Sequence, residues 1–184
     1  LTNTPGVLAE TTADLAWALL MAGARHVVAS ARDTRAGGWK TWSPTAFLGQ
    51  DVHGATLGIV GLGEIGTAVA RRAKGFSMRV LYASRTRKPG LETEFGLEHA
   101  SLDDLLAEAD FVTIHTPLND ATRHLIGARE LGLMKRTALL VNTARGTIVD
   151  QAALVAALRA GTIGGAALDV TDPEPLPADH DLFS

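Results

Sequence analysis

The sequence predicts an α/β fold, a doubly wound and mostly parallel sheet of about six strands with a long helix ahead of it. Two observations carry that prediction. From residue 56 onward, short apolar runs alternate with helical stretches, the pattern of strands joined by helical crossovers. A glycine-rich turn, "GLGEIG" at 61–66, connects the first apolar run to the first helical stretch after it.

In chain order, "ETTADLAWALLMAGARHVVAS" (10–30) reads as one helix, with Thr11 or Thr12 able to cap it and Leu15, Leu19 and Ala22 at helical spacing. Its broad apolar surface predicts burial on more than one side, including against a second subunit. Residues 34–50 hold Gly37, Gly38, Trp39, Trp42 and Pro44 and read as an irregular loop. "TLGIVG" (56–61) is the first strand, "EIGTAVARRAKGF" (64–76) a helix ending near Gly75, and "MRVLYA" (78–83) the second strand. A short third strand is expected near Leu97, then "SLDDLLAEA" (101–109), a helix capped by Ser101. "FVTIH" (111–115) is the fourth strand, followed by a loop and a helical stretch through about Met134. "TALLVNT" (137–143) is the fifth strand, "DQAALVAALRAG" (150–161) a helix capped by Asp150, and "GGAALDV" (164–170) the sixth strand. No internal repeat or low-complexity tract interrupts them.

Bulk properties narrow the function classes. A chain of 184 residues with 46% hydrophobic content supports one domain with a substantial core. The absence of cysteine excludes disulfides, thiol nucleophiles and thiolate metal sites, and suits a cytoplasmic protein. The longest apolar run, Leu15 to Gly23, is far shorter than a bilayer span. A net charge of −3 offers no general attraction to nucleic acid or an anionic membrane. No spacing of histidines and carboxylates points to a metal.

The turn at 61–66 is a GxGxxG between strand and helix. In that setting Gly61 makes the tight turn, Gly63 lets the backbone approach a pyrophosphate, and Gly66 lets helix pack on strand. The helix start then offers free N–H groups to the phosphates. Between these flanks the pattern favours a Rossmann-type dinucleotide-binding domain over an ordinary strand–helix turn of an α/β protein. An NAD-preferring domain of this kind carries Asp or Glu about 20 residues on, bonded to the ribose 2′-hydroxyl. Here the second strand ends at Tyr82-Ala83 and continues Ser84-Arg85-Thr86-Arg87-Lys88, with no carboxylate expected in reach. Ser84 can donate to a 2′-phosphate, and Arg85 can pair with it while stacking on adenine. Arg87 is a second candidate, Lys88 reads as solvated, and a basic loop with no ligand role is the plainer alternative. NADP(H) is therefore favoured, with NAD(H) possible.

Ligands of such sheets sit beyond the carboxyl ends of the strands. Three clusters fall there: "HTPL" (115–118), "NTARG" (142–146) and "LDVTDPEP" (168–175). Arg145 can hold a carboxylate and polarise a neighbouring carbonyl. Asp169 can accept from a carboxamide, and Glu174 can orient a histidine and keep it protonated as a general acid. Taken singly, these residues read equally well as a loop salt bridge, a turn former and a surface acid. Their common placement at one edge favours a site.

The stretches "PGVLAETTADLAWALL" (5–20), "GIVGLGEIG" (58–66), "HTPL", "VNTARGTIVD" (141–150) and "ALDVTDPEPLP" (167–177), in this order, resemble the D-isomer-specific 2-hydroxyacid dehydrogenase family. "YASRTRKP" (82–89) together with "GGWKTWSP" (37–44) is most similar to its glyoxylate/hydroxypyruvate reductase branch. The resemblance implies NADPH-linked reduction of glyoxylate or hydroxypyruvate to glycolate or D-glycerate, by a homodimer. By motif, Arg145 would be the catalytic substrate-binding arginine and Glu174 the partner of the acid–base histidine. Leu62, Gly63, Glu64 and Ile65 would line the pyrophosphate, Ser84 and Arg85 would take the 2′-phosphate, and Thr86 would belong to the cofactor-binding set. Thr116 and Pro117 would border the adenosine side, and Thr143, Ala144 and Asp169 the nicotinamide side. Trp39 or Trp42 would either reach toward a partner subunit's site or pack at a dimer contact.

The family's acid–base histidine follows the Glu-Pro segment in a "PHIG"-like motif, expected just past Ser184. Neither His115 nor His180 is expected to replace it. A substrate-domain segment ahead of Leu1 is expected as well, so residues 1–184 read as a cofactor-domain fragment that alone would not turn over substrate. Two alternatives remain. One is an NAD-linked family member of the 3-phosphoglycerate or D-lactate type. The other is a dinucleotide-sensing corepressor.

Overall fold

Successive residues of a strand point to opposite faces of its sheet, and here both faces are apolar because both are covered. The computed structural model describes residues 8–183, so positions 5–7 of the first family-like stretch and Ser184 lie outside the described residues. It contains strands β1 (Thr56–Val60), β2 (Arg79–Ala83), β3 (Leu97–His99), β4 (Phe111–Ile114), β5 (Leu139–Asn142) and β6 (Gly165–Leu168). All neighbours pair in parallel, in the order β3-β2-β1-β4-β5-β6. The order reverses between β1 and β4, the switch point at which such sheets open a crevice for ligands.

Leu57, Ile59, Tyr82, Phe111 and Val141 face one layer of core; Val60, Leu81, Val112, Ile114 and Leu140 face the other. The first layer is closed by helices α1 (Ala9–Ala24) and α3 (Glu64–Ala73), with Leu91 and Phe95 of α4 (Pro89–Phe95) against its margin. The second is closed by α5 (Leu102–Glu108), α6 (Ala128–Leu133) and α7 (Gln151–Ala160), through Leu105, Leu106, Leu131 and Leu154. The Ser101 and Asp150 caps form as expected: Ser101 Oγ accepts from Asp104 N at 3.1 Å, and Asp150 Oδ1 from Ala153 N at 3.0 Å. Each such cap stabilises its helix by about 1 kcal/mol.

The long first helix differs from expectation in three ways. It breaks after Ala24, with His26 at φ 52°, and resumes as α2 (Val27–Arg35). The cause is distant in sequence: the returning loop crosses the end of α1, where Gln50 N donates to Ala24 O at 2.8 Å and a Cβ on Gly49 would overlap that carbonyl. Thr11 and Thr12 lie inside α1 rather than at its cap, since Thr12 N already donates to Leu8 O at 2.9 Å. The packed face is Ala13, Ala16, Trp17, Leu20 and Ala24, while Leu15 is exposed and Leu19 half-buried. Trp17 fixes that face on α3 and the turn after it, donating from Nε1 to Val69 O at 3.2 Å and stacking on Phe76 at 4.7 Å. Helix α4 was not anticipated; Pro89 at its first turn is the signal that marks it. No helix among the described residues is long and apolar enough to cross a membrane.

Candidate cofactor and substrate site

Parallel register places Ala83, Val60, Ile114, Asn142 and Leu168 side by side across five strands. The next residue on each strand, Ser84, Gly61, His115, Thr143 or Asp169, therefore lies at one carboxyl edge. Three further bonds continue the ladder past the strands: Gly61 N to Ala83 O at 2.9 Å, His115 N to Val60 O at 2.8 Å, and Asp169 N to Asn142 O at 3.0 Å. The edge thus gathers the sequence-predicted residues from the 61–66 turn to Asp169 into one lane.

At the centre of the lane, Gly61 has φ 98°, and a Cβ there would stand 2.8 Å from His115 C and O and from Thr116 N. The turn thus abuts the 115–117 loop backbone. Gly63 opens α3, no side chain caps that helix, and nothing stands within 4 Å of where a Gly63 Cβ would lie. Glu64 is exposed and Ile65 half-buried. The Leu62 side chain is buried in the core at 3% exposure, which leaves its backbone to meet the pyrophosphate expected there.

Beyond β2, Ser84 Oγ donates to Thr86 O at 2.7 Å, and Arg85 is exposed with no partner among the described residues. The expectation of no carboxylate nearby is corrected: Glu92 of α4 forms a two-point ion pair with Arg87, at 2.8 and 2.9 Å. The Arg87 guanidinium, and then the Tyr82 hydroxyl, hold the Glu92 carboxyl down to about 2. The start of α4 folds that acid back onto the loop.

Beyond β4, His115 Nε2 lies 2.8 Å from Thr113 Oγ1, and burial pushes the ring's pKa down to about 4. At neutral pH it is uncharged, which fits a structural rather than acid–base role. The unfolded chain binds a proton near pH 6.5 and the folded chain does so only near 4. Stability present above pH 6.5 is therefore expected to fall by up to roughly 3 kcal/mol as pH drops to 4. Urea unfolding between pH 4 and 7 checks this, and His115→Gln should flatten the profile. Thr116 is half-buried and Pro117 exposed, its carbonyl accepting from Thr122 Oγ1 at 2.7 Å.

Beyond β5, Asn142 is 1% exposed and ties the turn that carries Arg145. Its Nδ2 donates to Arg145 O at 2.9 Å and its Oδ1 accepts from Ala144 N at 3.0 Å. Sequence reasoning overlooked this residue; a lone amide ending an otherwise apolar strand is its signal. Arg145 is exposed, its Nη1 donates to Ala144 O at 2.6 Å, and no carboxylate pairs with it among the described residues. Thr143 Oγ1 is buried and without a hydrogen-bond partner, a state native interiors rarely leave unless a ligand or water completes it. Gly146 packs directly on the Thr171 backbone, bringing the segment after β6 against the arginine turn. Asp169 and Glu174 are exposed and bond no other side chain among the described residues. His180 is held at both ring nitrogens, Nε2 by Gln151 and Nδ1 by Leu182 N, each at 3.2 Å.

These residues fit a dinucleotide: an open glycine cradle at an uncapped helix start, a free guanidinium beyond β2, and an unsatisfied hydroxyl beyond β5. Among the described residues no cluster of histidines and carboxylates suits a metal ion.

Comparison with known proteins agrees. Residues 17–184 match the family model described as D-isomer specific 2-hydroxyacid dehydrogenase, NAD binding domain. The chain is 58% identical over 183 residues to the glyoxylate reductase of Korarchaeum cryptofilum, covering 99% of this chain and 55% of that one. A Thermus thermophilus crystal structure superposes with a TM-score of 0.93 at 55% identity, over 99% of this chain and 57% of the other. A glyoxylate reductase from Paecilomyes thermophila gives 0.87 at 41% identity, over 98% and 54%. The chain thus spans about half the length of the relatives it matches. A parallel sheet with this glycine turn and this arginine turn at one edge, matched along nearly its whole length, belongs to the D-2-hydroxyacid dehydrogenase family and is glyoxylate reductase-like.

Proposed function

We propose that these residues form the cofactor domain of an NADPH-preferring reductase of small 2-oxo acids, glyoxylate or hydroxypyruvate, working in the cytoplasm as a homodimer. One observation carries the reading. Arg85 and Arg145 stand near opposite ends of a single lane, and neither is paired with a carboxylate among the described residues. One guanidinium suits a 2′-phosphate and the other a substrate carboxylate.

When bound, the reduced nicotinamide supplies a hydride to the substrate's carbonyl carbon. Arg145 holds the carboxylate with its planar fork and stabilises charge developing on the carbonyl oxygen. The Asn142 clamp keeps the arginine turn in one shape, so that little reorganisation accompanies the reaction. A histidine of the whole enzyme, kept protonated by Glu174, donates the proton to that oxygen. Thr143 and Asp169 offer a hydroxyl and a carboxylate to the carboxamide. The exposed apolar residues Val27, Val28 and Leu48, with Trp39 at 72% and Trp42 at 78% exposure, support a subunit contact along α2 and its loop.

The test is kcat/KM of the whole enzyme with NADPH and NADH, against both acids. Arg85→Asp is expected to move the preference toward NADH by on the order of tenfold to a hundredfold, the value of a charge-assisted hydrogen bond. Equal rates with both coenzymes in the unaltered enzyme would overturn the 2′-phosphate assignment. Tight nucleotide binding without turnover would point to a dinucleotide sensor.

A further inference from the structure

Five residues, 84–88, separate the end of β2 from α4, and both ends of this turn are pinned. At the near end Ala83 O accepts from Gly61 N at 2.9 Å. At the far end Lys88 N donates to the Tyr82 hydroxyl at 2.7 Å, and that hydroxyl donates to Glu92 Oε1 at 2.7 Å. The same carboxylate grips Arg87 at two points, with only 14% of the Glu92 side chain exposed. Tyr82 is fully buried, its ring edge-on to His99 at 5.1 Å. The core therefore reaches through one phenol into the loop. Of the loop's two arginines, one is committed and one is left free.

We infer that Tyr82 and Glu92 are positioning residues for coenzyme choice: they hold Arg87 and the Lys88 N–H so that the turn presents Arg85 alone to a 2′-phosphate. The inference rests on the NADPH reading proposed above. Glu92 stays ionised through the working pH range, held there first by Arg87 and then by Tyr82. A carboxylate beside a phosphate site would repel it, yet this one is neutralised by its own arginine and spends its remaining bond on the buried phenol. Its contribution is shape, with no net charge added to the loop.

Shape and charge predict opposite outcomes for Glu92→Ala. Removing a negative charge and releasing Arg87 would tighten NADPH binding if charge alone mattered. Loss of the tether should instead raise KM for NADPH about five- to tenfold in the full-length enzyme, with kcat at saturating NADPH retained. KM for NADH, which lacks the phosphate, should stay within about twofold. Glu92→Gln keeps one acceptor oxygen for the phenol but loses the two-point grip on Arg87, and should recover only part of the loss. Tyr82→Phe, which keeps the buried ring, should reproduce the alanine variant; thermal melts confirm that each variant is folded. A lower KM for NADPH in Glu92→Ala, or NADPH and NADH constants moving together, would overturn the inference. If the unaltered enzyme shows no NADPH preference, the 2′-phosphate reading itself fails, a result separable from failure of the tether.

Discussion

Replacing Arg145 by alanine is expected to lower kcat/KM for the 2-oxo acid on the order of a thousandfold, with dinucleotide affinity nearly unchanged. The magnitude follows from removing a preorganised donor at the position where oxyanion charge develops. The selectivity follows from geometry, because Arg145 lies past β5 while the glycine turn proposed for the pyrophosphate lies past β1, two strands away. Arg145→Lys keeps the charge but loses the planar fork, and should remain at least about tenfold below the unaltered enzyme. Steady-state kinetics on the whole enzyme, with nucleotide affinity from fluorescence titration, separates the two quantities. Equal losses in affinity and turnover would show that the arginine turn serves the nucleotide instead.

Gly61→Ala is expected to act the other way, weakening NADPH and NADH alike by more than about tenfold while also destabilising the fold. Alanine at φ 98° is strained, and its Cβ would press on the backbone of His115 and Thr116 at 2.8 Å. Backbone cannot rotate aside as a side chain does, so β1 and β4 must separate locally at the switch point. A stability loss of roughly 1–3 kcal/mol is expected from such overpacking. Thermal unfolding and parallel titrations with both coenzymes check this. A normal affinity for either would show that the turn does not cradle the pyrophosphate. The contrast with Arg85→Asp is the informative part, since that variant should discriminate between the coenzymes and this one should not.

Most of the sheet was legible because its signals are local. Strand runs, glycine turn and the Ser101 and Asp150 caps are written within a few residues of where they act, and parallel register then aligns the strand ends. What escaped depended on contacts far apart in sequence. The break at His26 has no proline behind it and is imposed by the loop at Gly49 and Gln50 crossing the helix end. Leu62 sits within the fingerprint yet turns into the core, because the helix that follows must pack on β1. In the coenzyme loop, the sequence leaves both Arg85 and Arg87 as candidates for the phosphate. Only the fold of α4 shows that Arg87 is taken by Glu92. Asn142 was hidden for a related reason: it ends a strand as a spacer would, and its importance lies in the two backbone groups it clamps.

The lane has a consequence for how such an enzyme can drift. On the function proposed above, coenzyme choice would hang on β2 and α4, and carbonyl chemistry on β5 and the segment after β6. Between the β2 and β5 ends lie β1 and β4, a separation of roughly 14 Å at about 4.8 Å per strand. At that range, with no side chain bonded to both ends among the described residues, substitutions are expected to add nearly independently in free energy. On that reading, rewriting residues 84–92 would exchange one coenzyme for the other with little expected effect on the chemistry at Arg145. Coenzyme choice and carbonyl chemistry would then be open to change one at a time.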